Sequence, residues 1–414
     1  MVNFVRRANG GDLFFPLWRD HIFIIVAVFA LFHLALHTFE DLKFSDLKSI
    51  FRVNPAWSFL ALLSIWMIIS AFITGLDYET VIGSEKSHTG LICSLVYNTF
   101  FVMALCMDRE KHIRFWTGLF LAVGFIISAL IIFDYFSFGS VRAFVVYNFF
   151  FYNFNHLSYY LLIVSVCAYT VFLLTENKYI RLASLLVFSA GTAALLLADT
   201  LGCYVAFAIS FIFNAIVFSL TGKFKWKRFI AVLLVVCLVV LVLLFVPNVD
   251  HETAKELLQR NLNEFTGFFA AAQASEGVDE SLGSGRMILW ITALKATLEK
   301  PVFGNGLAEM RNLLYTASGG GNNTVHNEFL EYCSNQGIPA LLFYVAFVLS
   351  VFIRGAKNRR SLTNMNIASL CVAFAYLVSS VFGVTIFYTA PYLFIFLAFG
   401  YYKAPDERSA PAEI

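Results

Sequence analysis

The stretch KFKWKRFIAVLLVVCLVVLVLLFV, Lys223 to Val246, decides the fold class. From Phe229 to Val246 it holds no charged residue at all. An α-helix rises 1.5 Å per residue, so about 20 apolar residues cross the roughly 30 Å hydrocarbon core of a bilayer. This run is therefore read as a membrane-spanning helix. Its charges are one-sided: Lys223, Lys225, Lys227 and Arg228 precede the apolar run and Pro247 follows it. Lys and Arg in short loops accumulate on the cytoplasmic side, so the rule places Lys223 inside and Pro247 outside.

Similar runs lie on both sides of it. Upstream they are Asp20 to Thr38, Trp57 to Thr74, Thr89 to Met107, Phe115 to Phe133, His156 to Leu174, Ile180 to Ala198 and Leu201 to Leu220. Downstream they are Ile338 to Ile353, Ile367 to Gly383 and Val384 to Tyr401. The pattern predicts an all-α, polytopic transmembrane bundle of about 11–12 spans. Short polar links such as Thr175 to Tyr179 make sequential neighbours antiparallel hairpins. Composition agrees: the chain is 59% hydrophobic, carries 47 Phe, and has a mean hydropathy of +0.75. Only 14% of residues are charged, against about a quarter in soluble domains.

The net charge is +2 and the basic clusters are short. They act as topology signals and not as a nucleic-acid footprint. Of 7 Cys, only Cys333 falls in the long polar segment, and no CxxC or Cys/His spacing suggests a metal or redox pair. No clear small-residue cleavage site follows the first apolar run, so a cleaved leader is not expected.

A second basic cluster, Arg354, Lys357, Arg359 and Arg360, lies one span beyond the longest polar segment. With both clusters inside, residues 247–337 form one large extracytoplasmic helical loop. The expected organisation is 1–246 as an N-terminal membrane bundle, 247–337 as the loop domain, 338–402 as C-terminal spans and 403–414 as a cytoplasmic tail. The rule fails at the start, where alternation would put Arg6, Arg7 and Arg19 outside. Topology before Trp57 stays open.

Within the loop, Glu252 to Phe269 has apolar residues at helical spacing, as an amphipathic helix would. A second helix is expected from Ser284-Gly285-Arg286 to Pro301, and a third around Glu309 to Tyr315. The fourth, Val325 to Asn335, would be capped by Asn323 or Thr324 and carry His326 in its first turn. A helix N-terminus disfavours imidazolium, so a neutral His326 there suits a general base. The alternative is a surface His hydrogen-bonded at a helix start, which composition alone favours. Arg286 opens its helix against the dipole, which fits an anionic partner such as phosphate or, equally, lipid headgroups. Arg142 and Arg311 are further candidates for the same anion. Asp199 is a carboxylate candidate or a hairpin residue with Gly202, the hairpin being preferred. Glu328 and Glu331 are assigned to a solvated face or to orienting the His326 ring.

The segments Gly285-Arg286 with Trp290, Pro301 to Gly306, His326-Asn327-Glu328-Phe329-Leu330-Glu331 and Gly337 to Leu342 occur in this order. Together with Asn153 to Tyr160, they resemble the bacterial O-antigen ligase and polymerase superfamily. That resemblance implies a GT-C-like membrane glycosyltransferase in the bacterial inner membrane. It would move a glycan from an undecaprenyl-diphosphate carrier to another glycan, lipid A-core or other hydroxyl acceptor on the outer face. No cofactor and no metal are implied, and the remaining partners are membrane lipids. In these terms Arg286 holds the diphosphate and His326 acts at the acceptor hydroxyl. Arg142, Arg311, Asn327 and Glu328 would contact diphosphate or glycan. One departure stands out: many members carry Ser-Arg where this chain has Ala198-Asp199-Thr200-Leu201-Gly202-Cys203. The competing function is a secondary transporter, which would place its ionisable residues near the bilayer midplane and not at span ends.

Overall fold

The computed structural model describes residues 55–83, 89–105, 110–139, 154–273, 282–387 and 389–401. All regular structure among them is helical. The bundle helices before the polar loop are α1 (Pro55–Thr74), the short α2 (Tyr78–Ile82), α3 (Leu91–Leu105), α4 (Glu110–Phe138), α5 (Phe154–Leu174), α6 (Lys178–Leu197), α7 (Leu201–Leu220) and α8 (Trp226–Phe245). The loop supplies α9 (Lys255–Gln273), α10 (Leu282–Glu299), α11 (Leu307–Ala317) and α12 (Glu328–Gln336). The chain returns through α13 (Ile338–Lys357), α14 (Asn364–Ser380) and α15 (Ala390–Tyr401).

Seven of these, α1, α4 to α8 and α13, are long and apolar enough to cross a membrane, and α3, α14 and α15 are shorter apolar helices. They correspond one for one to the expected runs from Trp57 onward. The run from Asp20 to Thr38 lies outside the described residues. Burial separates them by role. The spanning window of α5 is 94% buried, which makes α5 the axis of the bundle, packed by α4, α6, α7 and α14. That of α8 is only 11% buried, so its all-round apolar surface has lipid as its natural solvent.

Both basic clusters sit at one end of the bundle, as expected. The Lys223 ammonium donates to the Leu362 carbonyl at 3.0 Å and to Asn364 Oδ1 at 2.7 Å. The Arg228 guanidinium caps the end of α5 through the carbonyls of Leu173 and Thr175 at 2.9 and 2.7 Å. At this end the Arg354 guanidinium also lies 3.9 Å from the centre of the Tyr401 ring.

The last span departs from expectation. Val384 to Tyr401 reads as one helix, but helix begins only at Ala390. Twelve residues extend about 18 Å, well short of a hydrocarbon core. The preceding backbone is irregular, with Val384, Thr385, Ile386 and Thr389 buried. Irregular backbone at membrane depth survives only when surrounded by protein, and here α5, α7 and the loop helices surround it. Gly383 and Pro391 mark the break locally: Gly383 sits 3.0 Å, by its missing Cβ, from the Tyr159 ring, and Pro391, second residue of α15, has no N–H with which to extend the helix further back.

The loop helices form a separate small core of Leu289, Ala293, Ala296, Met310, Leu314 and Val325. They dock on the bundle through two paired turns. Asn305 and Gly306 N–H donate to the carbonyls of Ser334 and Asn335, each at 2.9 Å, and Ile338 N–H donates to Pro301 at 2.8 Å. Gly304, Gly306 and Gly337 have φ of +72°, +77° and +87°, a region that favours glycine. A Cβ on Gly337 would lie 1.9 Å from the Val302 carbonyl oxygen. The Pro301 to Gly306 and Gly337 to Leu342 segments are thus two halves of one turn contact. The Trp66 ring stacks on Phe303 with centroids 5.2 Å apart, and its indole donates to the Gln336 carbonyl at 2.9 Å.

Candidate functional site

The fourth loop helix starts later than expected. Its N-cap is Asn327, whose Oδ1 accepts the Leu330 N–H at 3.1 Å, and the helix runs Glu328–Gln336. Asn323 and Thr324 do not cap it. His326 therefore lies just before the cap, outside the first turn. Its φ is +55°, a conformation uncommon for any residue but glycine and held only when its surroundings demand it. The reason is geometric: Val325 is drawn into the loop core and Asn327 is committed to the cap, so the residue between must reverse the chain.

The imidazole is not a surface group. Burial first, then the charge of Arg286 and then His156, pushes its pKa down to about 4. His326 is thus neutral at pH 7, as expected, but the cause is desolvation and a neighbouring guanidinium and not a helix dipole.

The same electrostatics place Arg286 beside His326. Its charge is also felt at Tyr159 of α5 and Cys203 of α7. Packing agrees. α10 begins at Leu282, so Arg286 is inside it and not at its start. One turn on, the Trp290 ring lies 6.5 Å from Phe382. The Phe382 carbonyl accepts the Tyr159 hydroxyl at 2.9 Å, and the Phe382 side chain packs against Gly202, where a Cβ would come within 2.8 Å. Arg286 and His326 converge over the loop-domain end of α5 and α7. The Trp290 indole N–H beside them is buried and makes no hydrogen bond among the described residues. In the sequence Trp290 stands only within the motif that carries the family resemblance and His156 only as the first residue of an expected span, and neither is given a role there.

Asp199 holds a hairpin between α6 and α7, as preferred, with φ +55°. It also ion-pairs with Arg260 and accepts the Asn261 amide at 2.5 Å, which ties α9 to the bundle. Beneath it the Ser158 and Thr200 hydroxyls are 2.8 Å apart, and Thr200 donates to Asn155 Oδ1 at 3.0 Å.

The solvated-face expectation is corrected: Glu328 and Glu331 are buried. The hydroxyls of Tyr344 and Tyr376 donate to the two Glu328 oxygens at 2.8 and 2.9 Å. Burial pushes the Glu328 pKa up to about 7, against the two tyrosine hydrogen bonds that lower it. Glu331 is pushed up to about 8 by burial and by Glu328. Solvated-face assignment fails because both carboxylates point into the joint between loop and bundle, where the tyrosine partners come from α13 and α14. Arg311 is held by Glu79 of α2 at 2.7 Å, and lines a cleft with Asn323 and Thr324. Arg142 lies outside the described residues. Among the described residues no group of three His, Cys, Asp or Glu is arranged to hold a metal.

On the flank of the bundle an apolar groove of about 390 Å³ runs between α3, α4, α5 and α15, lined by residues including Phe100, Trp116, Phe120, Tyr160 and Phe396. Chemically, the site brings together a guanidinium, an imidazole that burial keeps neutral and an indole N–H without a partner among the described residues, at one end of the bundle, with an apolar groove on the flank. In comparisons with known proteins, residues 184–345 match the family model described as O-antigen ligase. The comparison with curated proteins gave no match.

Proposed function

Because residues 184–345 match the O-antigen ligase family, we propose that the chain transfers a glycan from an undecaprenyl-diphosphate carrier to an acceptor hydroxyl at the outer face of the bacterial inner membrane. The acceptor is another glycan, a lipid A-core or another hydroxyl compound, which makes the enzyme a polymerase or a ligase. The observation that carries this reading is the convergence of Arg286 with a neutral, partly buried His326. In the proposed step His326 takes the proton of the acceptor hydroxyl as its oxygen bonds to the anomeric carbon. The bond from that carbon to the phosphate oxygen breaks, and Arg286 stabilises the charge on the departing diphosphate.

No arginine stands in residues 198–203. Arg260 does reach that stretch from the loop, but Asp199 neutralises it, so diphosphate binding rests on Arg286. The apolar groove beside Tyr160 suits part of the carrier's polyprenyl chain. The test is surface glycan profiling of the native host, with the gene deleted and complemented by native chain, Arg286→Ala or His326→Ala. Single repeat units on the acceptor in the deletion strain indicate a polymerase, and polymer left on the lipid carrier indicates a ligase. Both variants should fail at normal protein levels. Unchanged glycan in the deletion strain, without a redundant enzyme, would sink the proposal.

A further inference from the structure

The loop domain carries an apolar strip that its own core does not use. Along α10, Leu289, Ala293 and Ala296 face the loop core. Leu294 and Leu298, one turn apart on another side of the helix, are exposed, Leu298 at 76%. The strip continues past the end of the helix into Val302, which is 48% exposed. Beside it around the helix run Lys295 and Glu299, also exposed. Single exposed apolar residues are ordinary on a protein surface. An apolar strip flanked by a charged one is the pattern of a helix lying at a boundary between water and lipid.

What the strip adjoins decides its partner. The Pro301 carbonyl accepts the Ile338 N–H at 2.8 Å, so Val302 lies beside the start of α13. There Ile338 and, one turn further on, Leu342 are exposed on a helix long and apolar enough to span. On its other side the turn follows α1. The Ser70 hydroxyl donates to the Phe303 carbonyl at 2.7 Å, and Gly306 faces Thr74, the last residue of α1. Phe72 and Ile73, between those two contacts in the chain, are exposed as well. The strip is therefore continuous with the lipid-facing surface of two spans. Its depth agrees: Ser70 is about 6 Å along the axis from the end of α1, and interfacial helices bury their apolar face by about 5–10 Å.

We propose that the C-terminal half of α10 and the turn after it form a membrane-contact surface, with Leu294, Leu298 and Val302 seated among the lipid acyl chains of the leaflet at the loop-domain end. Lys295 and Lys300, both exposed, reach past the strip toward the headgroups on their long stems. Glu309 also meets the Lys300 charge at 2.7 Å. The segment 247–337 is then not wholly extracytoplasmic, because it crosses the end of the bundle and dips back beside α1 and α13. Towards its other end α10 carries Trp290, near Phe382 over α5 and α7. Lipid contact at one end and bundle contact at the other fix the height of α10 relative to the membrane, and with it that of Arg286. This surface follows from the spans alone and is independent of the transferase reading.

The experiment is spin-label accessibility on the full chain in nanodiscs of phosphatidylethanolamine and phosphatidylglycerol. One nitroxide at a time is attached through a genetically encoded ketone amino acid, which leaves the native cysteines untouched. Labels replace Leu298 or Val302, with Leu342 as the lipid-facing reference and Glu299 as the water-facing one. Dissolved oxygen concentrates in the bilayer and a nickel chelate stays in water, so their relaxation of the label separates the two surroundings. At Leu298 and Val302 oxygen should act several-fold more strongly than the chelate, as at Leu342, and at Glu299 the order should reverse. If the Val302 variant is not monodisperse, a label at Leu294 takes its place. Stronger relaxation by the chelate at Leu298 and Val302 would place the strip in water and overturn the proposal. Protection from both reagents would mean that protein covers it, whether another part of this chain or a second copy, and would overturn the proposal equally.

Discussion

Glu328→Gln should make this protein more stable at pH 8 and leave it nearly unchanged at pH 5. Glu328 is 1% exposed, with its two oxygens held by Tyr344 and Tyr376 at 2.8 and 2.9 Å. Two hydroxyl donors do not repay the burial of a carboxylate, so the folded pKa rises from 4.5 to about 7. Below pH 4.5 the group is neutral whether the chain is folded or unfolded, and it has no effect on stability. Between pH 4.5 and 7 the unfolded chain ionises while the folded chain resists, so stability falls as pH rises. Above pH 7 the full cost is present, roughly 3 kcal/mol at about 1.4 kcal/mol for each tenfold change in the ionisation constant. Glu331, raised for the same cause, adds a cost of the same sign.

Glutamine keeps the shape and one carbonyl acceptor, and its amide can donate to the second tyrosine oxygen. The assay is thermal unfolding in detergent or nanodiscs at pH 5 and pH 8. The native chain should have the higher Tm at pH 5, and Glu328→Gln should recover about 2–3 kcal/mol of the difference at pH 8, the part due to Glu331 remaining. A variant less stable than native at pH 8, or shifted equally at both pH values, would refute the account of a buried, costly carboxylate.

Three further outcomes follow from the same geometry. The pH profile of kcat/KM for transfer should hold from neutral pH down to about pH 5 and fall near pH 4, because protonation of His326 is opposed by burial, Arg286 and His156; an acid limb at pH 6.5 would mean an ordinary solvated histidine or another base. Asp199→Asn should loosen Lys255–Gln273, seen as faster amide exchange along α9, with a stability loss of about 1 kcal/mol or less because Arg260 is largely exposed; unchanged exchange would show that α9 is held by packing alone. Gly337→Ala should lower Tm strongly or prevent accumulation, since its φ is +87° and the new Cβ would meet the Val302 carbonyl; a native Tm would show that the paired turns can shift apart.

Much of the architecture is legible from the chain because lipid imposes a one-dimensional rule. Apolar length and flanking cations are properties of consecutive residues, so the runs from Trp57 onward, the Leu201–Leu220 helix and the shared end of the two basic clusters can be read directly. The exception, Val384 to Tyr401, is instructive. Its composition suits a span, but Gly383 and Pro391 let it unwind, and the burial that makes irregular backbone tolerable comes from α5, α7 and the loop.

The candidate site is legible only in part. Residue type alone marks Arg286 and His326 as capable of holding an anion and taking a proton. That they meet depends on α10 crossing the ends of α5 and α7 through Trp290 and Phe382, contacts made between segments far apart in sequence. The glutamates show the limit most clearly. On a short helix Glu328 and Glu331 look like a solvated face, because a charged side chain is normally cheapest in water. Only tertiary structure supplies the tyrosines of α13 and α14 and the closed joint around them, and with these the same residues become buried groups whose charge depends on pH.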